Sequence, residues 1–293
     1  MMLIAEAGGT KTMWALIKDD GMISNYQSSG IHPLIQSDFE IQQSLMDSFK
    51  RLQLDKLSNN ILQLYYYGTG CIDIETKSRL HNIFEPLLPK AKMEFFSDLE
   101  GACIATGLKK KIWVVICGTG SNSCIWNGKK ITFQVPSGGY ILGDEGSGAY
   151  MGKKLLKDII RNNLPSELVL KFNTTFKLNY EHIIHQIYES SKPNSFLASF
   201  VPFVYENIKH PYMKQLVKDS FKDLMKAHES YFKNHHIAVP HSIAVYGSVP
   251  FIFARQFDKV FSKHYKIKKI LKDSFPEIVK HHLKYSLHAT NSP

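Results

Sequence analysis

The sequence predicts an α/β protein built from two related lobes, and three observations lead there. The chain has 293 residues, more than one hydrophobic core ordinarily serves, so two domains of about 100–200 residues are expected. One grammar occurs twice, beginning at Leu3 and again at Ile112: apolar strand, Gly-Thr turn, strand, Xaa-Gly turn, strand. Around these copies the apolar pattern shifts between strand and helix periods, which implies helices packed on a mixed sheet.

The first copy runs as a strand from Leu3 to Ala7 and breaks at Gly8 and Gly9. It resumes from Met13 to Ile17, turns at Asp19, Asp20 and Gly21, and continues from Met22 to Ser28. Segments 38–53, 74–87 and 99–108 read as helices, 61–67 and 92–97 as strands. The second copy spans Ile112 to Cys117, the turn 118–121, Asn122 to Trp126, the hairpin pair Asn127 and Gly128, and Ile131 to Val135. Met213, Leu216, Val217, Phe221 and Leu224 fall at helical spacing, so 212–233 is expected to be an amphipathic helix. A strand from Ile243 to Tyr246 and a helix from Phe251 to His264 follow, with a last helix at 277–287. The repeat places the lobes at 1–110 and 111–293, the second with a helical insert, and the last helix is free to pack back on the first lobe.

Composition narrows the function. With 44% hydrophobic and 21% charged residues the chain is ordinary for a soluble protein. It has no apolar run of membrane-spanning length, and its start lacks a secretory signal, so a cytoplasmic protein without membrane association is expected. Cys71, Cys103, Cys117 and Cys124 show no CxxC spacing and sit in apolar surroundings, which suits reduced structural thiols and disfavours zinc or iron–sulfur chemistry. Lys and Arg number 36 against 26 acidic residues, a net +10 concentrated at 259–275 and 280–284. Lysines alternating with apolar residues there read as a solvated helix face, and no nucleic-acid partner is expected. Attraction for anionic substrates is a weaker reading of the same charge.

Three glycine turns follow apolar strands: 8–10, 118–121 and 247–248. Glycine lets backbone N–H groups approach a phosphate, and a neighbouring hydroxyl adds a donor. A P-loop is excluded because Gly148 to Lys154 has the wrong spacing, and a dinucleotide fingerprint is excluded because the turn at 118–121 leads into a strand. Asp98 sits where an apolar strand yields to a helix, and serves either as a base toward an alcohol or as a helix cap. Asp144 and Glu145 lie among Gly138, Gly139, Gly143, Gly146 and Gly148, a sugar-binding loop or an acidic helix entry.

The segments 5–12 (AEAGGTKT), 96–102 (FSDLEGA), 117–123 (CGTGSNS), 138–156 (GGYILGDEGSGAYMGKKLL) and 245–249 (VYGSV) together resemble the BadF/BadG/BcrA/BcrD-type ATPases. Within that group the chain looks most like the N-acetylglucosamine kinases of the actin/hexokinase/Hsp70 superfamily. The resemblance implies two ribonuclease H-like lobes, each a mixed five-stranded sheet with flanking helices, and a nucleotide in the interlobe cleft. It implies ATP and Mg2+ as cofactors, a sugar as small-molecule substrate, and N-acetyl-D-glucosamine phosphorylated at its 6-hydroxyl, with a homodimer allowed. By position it assigns Glu6, Gly8, Gly9, Thr10 and Lys11 to the first phosphate loop, with Glu6 reaching magnesium through water. Gly118, Thr119 and Gly120 match the second loop, Gly247 and Ser248 the adenosine loop, and Asp98 the catalytic base and a sugar contact. His32, Asn122, Gly139, Tyr140 and Asp144 match the sugar side. Relatives often carry Asp where this chain has Glu6, an acid where it has Met13, and Asn where it has His32. An ATPase of the same superfamily acting as an activator or as a sugar sensor is the alternative.

Overall fold

Apolar runs closed by glycine turns form the two sheets, and the longer amphipathic runs cover them. The structure, a computed structural model, describes residues 1–289. It begins with β1 (Met2–Ala7), β2 (Lys11–Ile17), β3 (Ile23–Ser29), α1 (Asp38–Arg51), a 3-10 turn (Asp55–Asn60), β4 (Gln63–Gly68), α2 (Ile74–Phe84), β5 (Lys92–Ser97) and α3 (Asp98–Ala105). The second half starts with β6 (Ile112–Cys117), β7 (Ser121–Trp126), β8 (Ile131–Gln134), α4 (Gly139–Leu142) and α5 (Gly148–Ile160). Four short helices follow, α6 (Ser166–Phe176), α7 (Tyr180–Tyr188), α8 (Pro193–Ala198) and α9 (Val201–Glu206), then the long α10 (Pro211–Asn234). The chain ends with β9 (Ser242–Tyr246), α11 (Ser248–Ile252), α12 (Ala254–Phe261), β10 (Lys266–Leu271) and α13 (Phe275–Ala289).

The chain divides into two compact units: residues 1–107 with the segment from Ser274 onward, and residues 108–273. The first unit's sheet has the order β3-β2-β1-β4-β5, with β1 antiparallel to β2 and parallel to β4, and β4 parallel to β5. The second unit's sheet has the order β10-β9-β6-β7-β8, the same topology with β6 in the place of β1. The repeated grammar of the sequence is thus a repeated sheet.

Each unit has its own core. Leu3, Ala5, Leu16, Ile41, Leu45, Phe84 and Leu80 close around Trp14 in the first. Trp113, Leu155, Val217, Phe221, Phe232 and Phe257 do so in the second. Apolar burial of this extent stabilises at roughly 25 cal/mol per Å². The helix α13 completes the first unit by packing on α3, where Gly101 lies so close to Ile278 that an added Cβ would sit 3.0 Å from its Cδ1. His282 Nε2 meets the Tyr67 hydroxyl at 2.8 Å and its ring stacks on Tyr65 at 3.8 Å.

Two expectations shift. The basic stretch read as one solvated helix face divides into α12 and the strand β10. A register shift between Ile267 and Lys269 breaks the strand's alternation and hides its period. β10 is an edge strand, where lysines discourage pairing with foreign strands, which accounts for Lys266, Lys268 and Lys269. The single helix expected over 251–264 is two, α11 and α12, divided at Phe253.

Among the described residues each unit buries one histidine, whose charged form is penalised by desolvation. His228, bonded through Nδ1 to the Ser123 hydroxyl at 2.8 Å, and His282 are both pushed down to about 4. In the unfolded chain a histidine titrates near 6.5, so the unfolded state binds more protons between those values. Stability is full above about pH 6.5 and is lost progressively as pH falls toward 4. Urea midpoints measured from pH 7 to 4 will show this decline, and His228→Gln will flatten it; an unchanged slope in that variant removes His228 from the effect.

Candidate functional site

The parallel strands of the first unit end in register: Ala7 pairs with Gly68, and Gly68 with Ser97. The first residues past that edge, Gly8, Thr69 and Asp98, are therefore neighbours by backbone geometry, at the sheet edge where open α/β folds place their ligands. The Thr69 N–H donates to Ala7 O at 2.9 Å, and its hydroxyl bonds the Asp98 carboxylate. The Leu99 N–H donates to Asp98 Oδ1 at 2.8 Å.

Asp98 is not the helix cap. Ser97 fills that place: its Oγ accepts from the Glu100 N–H at 3.1 Å while the Glu100 carboxylate accepts from the Ser97 N–H at 2.8 Å. With the cap supplied by this box, Asp98 is spared for another purpose. Desolvation raises its carboxyl above the usual carboxylate range, opposed by the bonds from Leu99 N–H and Thr69.

The other residues expected in the first unit gather at the same edge. The Gly8 N–H donates to Lys11 O at 2.9 Å, closing the turn that carries Gly9 and Thr10, both exposed. The Ile31 N–H donates to Gly8 O at 3.2 Å, which brings the following His32 beside the turn. A Cβ added at Gly9 would lie 3.6 Å from His32 Cδ2. Glu6, near the end of β1, accepts a hydrogen bond from the Ser274 hydroxyl. Thr69 is the residue the sequence reading missed. Gly68, Thr69 and Gly70 repeat the Gly-Thr-Gly of 118–120 after an equally apolar strand, and that was the available signal.

In the second unit Ile116 pairs with Tyr246, so Cys117 and Gly247 are adjacent at the matching edge. Gly247 has φ +136°, and a Cβ there would fall 1.9 Å from Cys117 O, so only glycine fits. Ser248 opens α11 just beyond it. The turn at 118–120 is held from behind by α5, whose Gly148 and Ala149 N–H groups donate to Gly118 O and Thr119 O at 2.8 and 3.0 Å.

Asp144, which the resemblance assigns to the sugar side, lies against the turn at 118–121. Its Oδ1 accepts from the Ser121 N–H at 3.0 Å, and the Ser121 hydroxyl donates to Glu145 O at 2.8 Å. A Cβ at Gly120 would come within 2.8 Å of the Asp144 carboxylate. Burial raises the Asp144 carboxyl, with the Ser121 N–H opposing. Of the other residues expected on the sugar side, Asn122 lies on β7 with its side-chain oxygen bonded to the Ser123 N–H, 2.7 Å. Gly139 and Tyr140 open α4, where Lys153 Nζ donates to Tyr140 O at 2.8 Å and the Tyr140 ring packs on the core.

No protein-family model matches the chain. The glucosamine kinase GspK of Vibrio cholerae is 28% identical over 95 residues, 32% of this chain and 32% of that protein, so the match spans about a third of the curated relative. A glucokinase of Streptomyces griseus, solved with glucose and AMPPNP, shares the fold at 13% identity, TM-score 0.56, over 96% of this chain and 97% of its own. These likenesses and the duplicated sheet define the class as the hexokinase- and actin-like fold. A structure from Porphyromonas gingivalis, described as a candidate N-acetylglucosamine kinase, is 30% identical over 96% of this chain and 98% of its own, with a TM-score of 0.87. The chain belongs to the sugar kinase family of that protein.

The placement of Asp144 gives a test. Replacing it by Ala leaves the Ser121 N–H without its acceptor and loosens the turn at 118–121. Asp144→Ala will weaken binding of a non-hydrolysable ATP analogue about tenfold, equal to about 1.4 kcal/mol, with a smaller change in sugar affinity, measured by titration calorimetry. A loss confined to the sugar supports instead the sugar-side role that the resemblance gives Asp144.

Proposed function

We propose that the protein transfers the γ-phosphoryl group of ATP to a sugar hydroxyl, that of N-acetyl-D-glucosamine at carbon 6, with Asp98 as the base. Family membership supports the reaction class, and the observation that carries the residue assignment is Asp98 itself. Its carboxylate stands at the strand edge, is relieved of capping by Ser97, and is raised in proton affinity by desolvation. Those are the properties a base toward an alcohol requires.

In this reading the sugar hydroxyl donates its proton to Asp98 as its oxygen forms a bond to the γ-phosphorus, and the bond from that phosphorus to the β,γ-bridging oxygen breaks to release ADP. Thr69 holds the carboxylate toward the hydroxyl. The turns at 8–10 and 118–120 offer backbone N–H groups and the Thr10 and Thr119 hydroxyls to the phosphates, and Gly247 with Ser248 takes the nucleoside side. Glu6 keeps a partly exposed carboxylate braced by Ser274, which suits an ion bound through water by one carboxylate and the substrate phosphates. Magnesium would neutralise charge that builds on those phosphates. Small molecules in the cytoplasm are the proposed partners.

The activator alternative is disfavoured by where the thiols are. Such proteins hold a cluster between subunits with cysteines, whereas Cys71, Cys103, Cys117 and Cys124 are all at most 1% exposed. Desolvation pushes Cys71 up to about 12, away from the thiolate a cluster needs.

An ATP-consumption assay over amino sugars, N-acetylated sugars and plain hexoses tests the reading, and turnover with no sugar sinks it. Asp98→Asn will lower kcat by about 10²–10⁴-fold while leaving ATP-analogue affinity little changed. The same variant will be more heat-stable. Because the folded-state value of Asp98 is raised, the folded protein loses stability as pH climbs from the unfolded carboxylate value through the folded one, and stays lower above it. Asparagine removes that cost, so a thermal midpoint unchanged at pH 7.5 contradicts the desolvation argument. In the wild type kcat/KM will fall on acidification through a value above the ordinary carboxylate range of about 4.

A further inference from the structure

The loop that carries His32 is fastened in an unusual way. Ile31 and Pro33 are buried, but from Leu34 to Asp38 the loop buries no side chain, and Leu34 and Ile35 stand 57% and 72% exposed. Hydrophobic burial therefore does not fix this stretch. Arg79, on α2, does so with all three nitrogens of its guanidinium group. Its Nη1 donates to Pro33 O, its Nη2 to Gln36 O at 2.7 Å, and its Nε to the Asp38 carboxylate. Two of the three acceptors are backbone carbonyls, so the contact specifies the path of the chain rather than a neighbouring side chain.

The same stretch grips His32. The His32 N–H donates to Gln36 Oε1 at 2.7 Å, and His32 O accepts from the Ile35 and Gln36 N–H groups, both at 3.0 Å. The imidazole itself has no such support: its Nδ1 is buried without a hydrogen-bond partner. It lies in space left by Gly70, where an added Cβ would be 3.2 Å from Nδ1 and where φ is +74°. Since no side-chain bond holds Nδ1, the ring takes its place from the backbone, and the backbone takes its place from Arg79. Desolvation lowers the histidine below its ordinary value.

We infer that Arg79 is a positioning residue that sets the sugar-recognition loop through His32, before any ligand arrives. The inference rests on the sugar-kinase reading and on the sugar contact that the resemblance assigns to His32, and deepens them: affinity for the sugar depends on a residue that does not touch the sugar. A planar fork with a permanent charge is required, because one ammonium group cannot reach acceptors at residues 33, 36 and 38 together.

Steady-state kinetics with N-acetyl-D-glucosamine and ATP, on wild type, Arg79→Lys, Arg79→Ala, Gln36→Ala, His32→Ala and the Arg79→Ala/His32→Ala pair, tests it. Arg79→Ala is expected to raise the sugar KM tenfold or more and leave the ATP KM within twofold. Arg79→Lys is expected to fall between it and wild type, and Gln36→Ala to shift the sugar KM in the same direction. Because Arg79 acts through His32, the double variant is expected to be no worse than His32→Ala alone. An unchanged sugar KM, equal rises in both KM values, or additive losses in the double variant overturn the inference. Should Arg79→Ala fail to fold, Arg79→Lys and Gln36→Ala carry the same comparison. A wild type that phosphorylates no sugar in the panel overturns the parent reading as well, and so is distinct from a wild type that works beside variants that do not differ from it.

Discussion

Parallel pairing is the constraint on which the rest depends. When β1, β4 and β5 run side by side in register, their last residues line up and the residues that follow must leave the sheet together. Gly8, Thr69 and Asp98 become neighbours through backbone hydrogen bonds, before any side chain contributes. The carboxylate can then be tuned by small means: a hydroxyl from Thr69, an N–H from Leu99, and a separate serine to finish the helix. The second sheet applies the same geometry to different ends, and there Gly247 exists because Cys117 O leaves no room for a side chain.

The two units use that shared edge differently. In the first, the turn after β1 is open, with Gly9 and Thr10 exposed. In the second, the turn after β6 is bound on its inner side by the start of α5 and by Asp144. The carbonyls of Gly118, Thr119, Gly120, Asp144, Glu145 and Gly146 and the carboxylate of Asp144 are spent on internal bonds, which hold the turn in place. The N-terminal end of α5 also brings its partial positive charge close to that turn, which favours an anion nearby.

Much of this was legible in the sequence, for reasons that can be named. The meander strands announce themselves because apolar runs alternate with Gly and Asn-Gly turns, and α10 because its apolar residues recur at helical spacing over 24 residues. Asp98 stood out because it interrupts an apolar run. What stayed hidden lacked a local period. β10 is broken by its register shift, and α6 to α9 are too short for a stripe to show. Thr69 sits in a Gly-Thr-Gly that no hairpin follows, so its strand lacks the meander grammar of the other two. The contact between Asp144 and Ser121 spans 23 residues, and the grip of Arg79 on the loop after His32 spans more than 40. No reading of spacing supplies such contacts; only the folded backbone does.

The path of the chain has a consequence for how the molecule comes into being. The first unit is discontinuous: its sheet is encoded before residue 107, but α13, which covers α3 and supplies His282 to Tyr67, is encoded after residue 273. During synthesis the five strands of that unit exist for some 166 further residues without their last helix, a span equal to the whole inserted unit. The inserted unit is continuous and can close its core as soon as it leaves the ribosome. The first part to be translated is therefore the last to be finished, and the carboxylate of Glu6 meets Ser274 only at that final docking.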